Sequence, residues 1–192
     1  MKIIKKISIL YIIIISIGFV TFTSFQNTIE ETQYGRTGIN TNYVTIAFEL
    51  IKITDLPKEV IFNAILNVDE YSKILPNNII YTKILSDTTS GFERIIFVEE
   101  KFFESGITSV LTIKHTFFDT DFHKVEIMSG DAIGTTIEQE FIKIDNGTKI
   151  KTEAQIKIKG ILAPFGALTK GNMESGLDSA LESFIAYAKK NT

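Results

Sequence analysis

Few residues in this chain are of types that do chemistry, and their spacing says where they point. His115 alternates in phase with Leu111, Ile113 and Phe117. Gln139 shares a strand face with Thr135, Ile137 and Phe141. Arg94 is in phase with Ile96, Val98 and Glu100, so an Arg94–Glu100 pair is conceivable at one end of that face. A glutamine amide can hydrogen-bond a ligand carbonyl. An arginine can hold an anionic headgroup. Each has a bland reading too: a glutamine bonded to backbone or water, a hydrogen-bonded core histidine, a solvated ion pair worth under about 1 kcal/mol. General acid–base catalysis needs paired titratable groups converging on one pocket. His115 and His123 fall in the same phase of neighbouring segments, but no carboxylate is clearly placed beside them. No Ser-His-Asp order, Gly-rich phosphate loop or metal-ligand spacing occurs, so the expectation leans away from an enzyme, with no catalytic residue, metal or cofactor assigned.

Composition narrows the classes further. The chain has 192 residues, a net charge of −3, 2 His and no Cys. Without Cys there are no disulfides, thiol nucleophiles or Cys-ligated metal sites. An acidic balance disfavours nucleic acid as a partner, which demands clustered Lys and Arg. The length fits one domain with a core large enough to stand without staples.

The first 25 residues read as lying outside that domain. Lys2, Lys5 and Lys6 precede an uncharged run, Ile7 to Phe25, long enough as a helix to span about 28 Å. It is either a transmembrane anchor or a cleaved signal peptide. Lysines before the run and Glu30-Glu31 after it place the following chain on the extracytoplasmic side, tethered to the membrane or secreted. Residues 26–42, rich in Thr, Asn, Gln and Gly, read as a flexible linker.

From residue 43 the elements follow in order. Tyr43 to Ile53 is β-branched and aromatic, a strand. Leu56-Pro57 opens a helix, with Thr54 or Asp55 available as cap, and Asn67 can cap a second short helix that Pro76 ends. Strand patterns then fill Ile79–Leu85, Phe92–Lys101, Ile107–Phe118, His123–Met128, Ile133–Ile144 and Lys149–Lys159. Asp87 to Gly91 reads as a turn, and Asn146-Gly147 as a tight hairpin. Ile150, Thr152, Ala154, Ile156 and Ile158 share one side of the last strand, and lysines and other polar residues the other. That apolar side needs a cover. A helix from near Pro164 to about Lys190 offers one, with Phe165, Leu168, Met173, Leu177, Leu181, Phe184 and Ala188 on a stripe.

This order, with three loose motifs, resembles the SRPBCC superfamily, which includes START, polyketide cyclase-like and coenzyme Q-binding-like proteins. The motifs are Leu56-Pro57-Lys58-Glu59-Val60 after the first strand, Val68-Asp69-Glu70-Tyr71 running to Leu75-Pro76, and Met128-Ser129-Gly130 followed by Phe141 and Gly147-Thr148. The resemblance covers residues 43–190. It implies an α+β helix-grip fold: a curved seven-stranded antiparallel sheet wrapped around a long C-terminal helix, with two short helices after the first strand. It also implies a hydrophobic cavity between sheet and helix that binds a lipid, isoprenoid quinone or polyketide-like molecule. On that reading Arg94, Val98, Ile113 and His115 face the cavity from the middle strands. Ile137, Gln139, Phe141, Thr152, Ala154 and Ile156 face it from the last hairpin, and Met173, Leu177 and Leu181 from the helix. Some members of the superfamily are cyclases or dehydratases, so a cyclase-like enzyme stays open, as does an interaction module with a filled core.

Overall fold

The computed structural model describes residues 43–104, 107–130, 132–159 and 170–192. The proposed anchor or signal peptide, the linker, and the helix start near Pro164 lie outside these residues.

Seven strands form one antiparallel sheet: β1 (Tyr43–Thr54), β2 (Ile79–Ser90), β3 (Glu93–Glu104), β4 (Ile107–Phe118), β5 (Phe122–Ile127), β6 (Thr136–Ile144) and β7 (Gly147–Lys159). Their order is β1-β7-β6-β5-β4-β3-β2, so the first two strands lie at opposite edges. The segment between them crosses from edge to edge through α1 (Lys58–Leu66), a 3₁₀ turn (Val68–Glu70) and α2 (Tyr71–Ile74). The other strand-to-strand connections join antiparallel neighbours, which need only a hairpin.

The alternation read from sequence holds in β7. Ile150, Thr152, Ala154, Ile156 and Ile158 are buried. Their cover is α3 (Lys170–Lys190). It buries Met173, Leu177, Ala180, Leu181, Phe184, Ile185 and Ala188, the three-to-four spacing of one helix face. Lys52 of β1 reaches Asp178 at 2.8 Å and Glu182 at 2.5 Å, and Lys189 reaches Asp55 at 2.6 Å. These pairs, part-buried at Lys52 and exposed at Lys189, orient α3 on the β1 edge more than they stabilise it.

Several boundaries differ from the sequence reading, each for a local reason. β2 continues through Asp87 to Ser90, and Gly91-Phe92 makes the turn, with Gly91 at φ 62. Asp87 is held within the hairpin by Arg94, whose Nε and Nη2 donate to its two carboxylate oxygens at 3.0 and 2.6 Å. β6 begins at Thr136 rather than Ile133, because residues 132–134 turn, with the Ile133 amide donating to the Gly130 carbonyl. Neither Asn67 nor the Thr54-Asp55 pair caps a helix. Instead Thr54 Oγ1 accepts from the Leu56 amide at 3.3 Å, a turn that delivers Pro57 to the start of α1.

The β6–β7 hairpin also differs in detail. Ile144 pairs with Gly147, so the loop residues are Asp145-Asn146 and Gly147 opens β7. Gly147 has φ 132, and a Cβ there would stand 2.0 Å from the Thr54 carbonyl oxygen. Next to it Thr148 Oγ1 donates to the Leu56 carbonyl at 2.8 Å. The Gly-Thr pair therefore clamps the hairpin to the β1–α1 junction. Gly147→Ala is expected to lower unfolding stability by about 1–3 kcal/mol or more, through strain and backbone collision. A urea midpoint unchanged by this substitution would contradict the clamp.

Candidate functional site

The inner faces of β3 to β6, the α1–α2 segment and α3 enclose an apolar cavity of about 60 Å³. Ile113, Val125, Ile127 and Ile137 line it from the sheet, and Leu177, Ala180, Leu181 and Phe184 from α3. Ile65, Tyr71 and Leu75 close it from the two short helices. Four polar side chains enter this lining: Glu100, His115, His123 and Gln139.

Strand register brings three of them together. His123 stands opposite Gln139 and opposite Phe117, and His115 lies two residues along β4 from Phe117, diagonal to His123. His123 Nδ1 is 2.8 Å from Gln139 Oε1, and His123 Nε2 is 3.0 Å from His115 Nδ1. An amide oxygen only accepts, so His123 carries its proton on Nδ1 and presents a bare Nε2. His115 then donates from Nδ1, which leaves its own Nε2 as a lone-pair acceptor. That Nε2 is buried without a hydrogen-bond partner among the described residues. The imidazole and phenyl planes stack, His123 on Phe117 at 4.4 Å and on His115 at 5.3 Å, and Phe62 meets Phe117 edge-on. The rings are fixed in position as well as hydrogen-bonded.

Burial keeps both imidazoles neutral. Desolvation lowers the pKa of His123 to about 4, against a smaller upward effect of its bond to Gln139. Desolvation, aided by His123, holds His115 well below the usual histidine range.

Glu100 is fully buried on β3. Its Oε1 accepts from Thr82 Oγ1 at 3.2 Å, and its Oε2 is buried without a partner among the described residues. Desolvation raises its pKa to about 8, the Thr82 bond opposing only weakly, so the carboxyl is protonated at neutral pH. Tyr71, edge-on to His115 at 5.6 Å, donates from its hydroxyl to the Ile65 carbonyl at 2.6 Å. Burial and the neighbouring Glu100 push its phenol well above the ordinary value. The cavity thus joins a neutral acceptor, His115 Nε2, to a neutral acid, Glu100.

Of the residues expected at the cavity, Ile113, His115, Ile137, Gln139, Leu177 and Leu181 border it. Val98, Phe141, Thr152, Ala154, Ile156 and Met173 are buried in the surrounding core and do not border it. Arg94 is corrected: it pairs with Asp87 at the hairpin end and not with Glu100. Six residues of extended strand separate Arg94 from Glu100, about 20 Å, so the two cannot meet. The sequence reading also left Glu100 out of the histidines' surroundings, and did not place Tyr71, Phe102, Ala180 or Phe184 at the cavity. The phase of Glu100 with Ile96 and Val98 was the available signal. Ser129 and Gly130, part of the motif, act structurally: Ser129 Oγ accepts from the Thr112 amide at 2.7 Å, and a Cβ on Gly130 would meet Leu111 at 2.5 Å.

Solved structures share this architecture. The di-domain aromatase/cyclase StfQ of the steffimycin biosynthetic pathway superposes with a TM-score of 0.60 at 11% identity, over 77% of this chain and 51% of that one. This chain therefore spans about half of StfQ. Ara h 8.0201 matches with a TM-score of 0.59 at 18% identity, over 77% of this chain and 99% of its own. Norcoclaurine synthase from Thalictrum flavum matches with a TM-score of 0.55 at 15% identity, over 86% of this chain and 99% of its own. No family model matches the sequence. No curated protein matches it either. These likenesses establish the helix-grip fold, a seven-stranded antiparallel curved sheet with a C-terminal helix.

The buried groups make stability depend on pH in a defined way. The folded pKa of Glu100, about 8, lies above its unfolded value of 4.5, so its contribution is complete below pH 4.5 and is lost as pH rises to 8. The histidines' folded values lie below 6.5, so their contribution is complete above pH 6.5 and is lost as pH falls. Stability should peak near pH 6.5 and fall between 6.5 and 8 by roughly 1 kcal/mol per pH unit. Urea midpoints measured across that window should show the fall in the wild type and little of it in Glu100→Gln. A wild type flat from pH 6.5 to 8 would contradict the buried neutral acid.

Proposed function

We propose that this domain binds a hydrophobic small molecule between its sheet and its C-terminal helix. The observation that carries the reading is the apolar cavity with two buried polar atoms, His115 Nε2 and Glu100 Oε2, that have no partner among the described residues. Buried polar atoms are normally hydrogen-bonded, so unmet ones at a cavity wall are an affinity waiting for a ligand. The helix-grip neighbours support small-molecule binding at the level of fold, since they include an aromatase/cyclase and a synthase described in complex with dopamine and hydroxybenzaldehyde. A lipid, an isoprenoid quinone or a polyketide-like molecule belongs to the chemistry considered.

Volume sets a condition on all of them. Pockets for drug-sized ligands run to about 300–1,000 Å³, and this cavity is about 60 Å³. Binding then requires α3 and the short helices to part from the sheet. A second reading, a cyclase- or dehydratase-like enzyme, is favoured by one observation: an acid and a neutral base share the cavity. Residues 1–25 are read from sequence as a membrane anchor or signal peptide that puts the domain on the extracytoplasmic side.

Filling the cavity tests the reading. Ala180→Leu adds bulk from α3 into the lining. The environment-sensitive dye N-phenyl-1-naphthylamine should bind the wild type and bind the variant at least tenfold more weakly, with no loss of thermal stability in the variant. If the wild type takes up no dye and Ala180→Leu destabilises by about 1–3 kcal/mol, as overpacking does, the space is a filled core and the domain an interaction module.

A further inference from the structure

The cavity's polar atoms have a fixed sense. Gln139 Oε1 accepts from His123 and thereby fixes both imidazoles, so that His115 offers the cavity an acceptor and no donor. Glu100 reaches the same cavity from β3 with Oε2 unmet among the described residues. The rest of the described lining is apolar apart from the Tyr71 hydroxyl, already given to the Ile65 carbonyl, and it contains no lysine or arginine. From α3, Leu177, Ala180, Leu181 and Phe184 face the space.

We infer that this cavity takes an uncharged, hydroxyl-bearing ligand, whose hydroxyl donates a hydrogen bond to His115 Nε2, while a separate oxygen of the ligand accepts one from the carboxyl of Glu100. The inference rests on the small-molecule reading above and specifies the ligand's polar end. A compound that only accepts, such as a quinone or an ether, satisfies Glu100 and leaves His115 Nε2 buried and unmet. A carboxylate brings a negative charge into an apolar space with no cation to receive it. A bare hydrocarbon leaves both atoms unmet. A hydroxyl is the smallest uncharged group that donates to His115 Nε2, and Glu100, four residues along the β3–β4 ladder from His115, is met by a second acceptor oxygen. Glu100 is suited to donate because burial keeps its carboxyl protonated at neutral pH. Sites built to bond a substrate hydroxyl reject analogues that lack it far more strongly than apolar pockets reject a missing methylene.

The experiment compares four small probes of one size class on the full chain at pH 7: phenol, toluene, anisole and benzoate. The readout is the ring resonances of His115 and His123, the only histidines in the sequence. Phenol is expected to shift the His115 ring and to bind at least tenfold more tightly than toluene or anisole, with benzoate weakest. His115→Phe should bring phenol down to the level of toluene. Glu100→Gln, which keeps a neutral donor, should retain the preference. Should His115→Phe fail to fold, the wild-type ranking decides alone. Toluene or anisole binding as tightly as phenol, or benzoate binding best, overturns the hydroxyl inference while leaving the cavity reading intact. If none of the four probes moves either ring, the cavity reading falls, and this inference with it.

Discussion

A polar group buried in an apolar space is held neutral, and any of its atoms left without a hydrogen-bond partner carries a cost; this constraint governs the interior of the domain. Moving a charge into such a space costs far more than one hydrogen bond returns. His115, His123 and Glu100 respond by staying uncharged at neutral pH. Gln139 then decides the rest. Its amide oxygen selects one tautomer of His123, which selects one of His115. The sense of the polar atoms at the cavity is thus set by a side chain three strands away from Glu100, through bonds that each have a single allowed direction.

The fold holds that chain in register. His115, His123 and Gln139 come from β4, β5 and β6, and only antiparallel pairing in this register sets them side by side. A slip of one residue would turn every one of them to the outer face. The edge-to-edge crossover between β1 and β2 supplies Ile65, Tyr71 and Leu75 as the cavity's second wall. The clamp at Gly147 and Thr148 fixes where that crossover begins. α3 supplies only apolar cover, so polarity comes from the sheet and shape from the helices.

Strand identity was legible in the sequence because alternation is local, and it put His115, Gln139, Ile113 and Ile137 on the correct face. The stripe on α3 gave Leu177 and Leu181 for the same reason. Four things were not legible. Arg94 and Glu100 are in phase, and phase says nothing of distance along a strand, so the pair looked possible although extended geometry forbids it. The meeting of His123 with His115 depends on the register across the β4–β5 turn, which three residues of turn sequence do not declare. Third, Val98, Phe141, Ala154, Ile156 and Met173 are apolar and inward just as the true lining is, and the same residue types fill a core or face a void. The turn at Gly91 was misplaced because Asp87 looks like a turn residue until its partner, Arg94, is known.

The central claim is the neutral, directed histidine chain. Nitrogen-15 spectra of the histidine side chains address it directly, because a protonated and a bare ring nitrogen resonate far apart and the sequence has only 2 His. Both rings are predicted to be neutral at pH 7, with the proton on Nδ1 and Nε2 bare, and to remain so at pH 5.5. A proton on His115 Nε2, or either ring charged at pH 6, would contradict it.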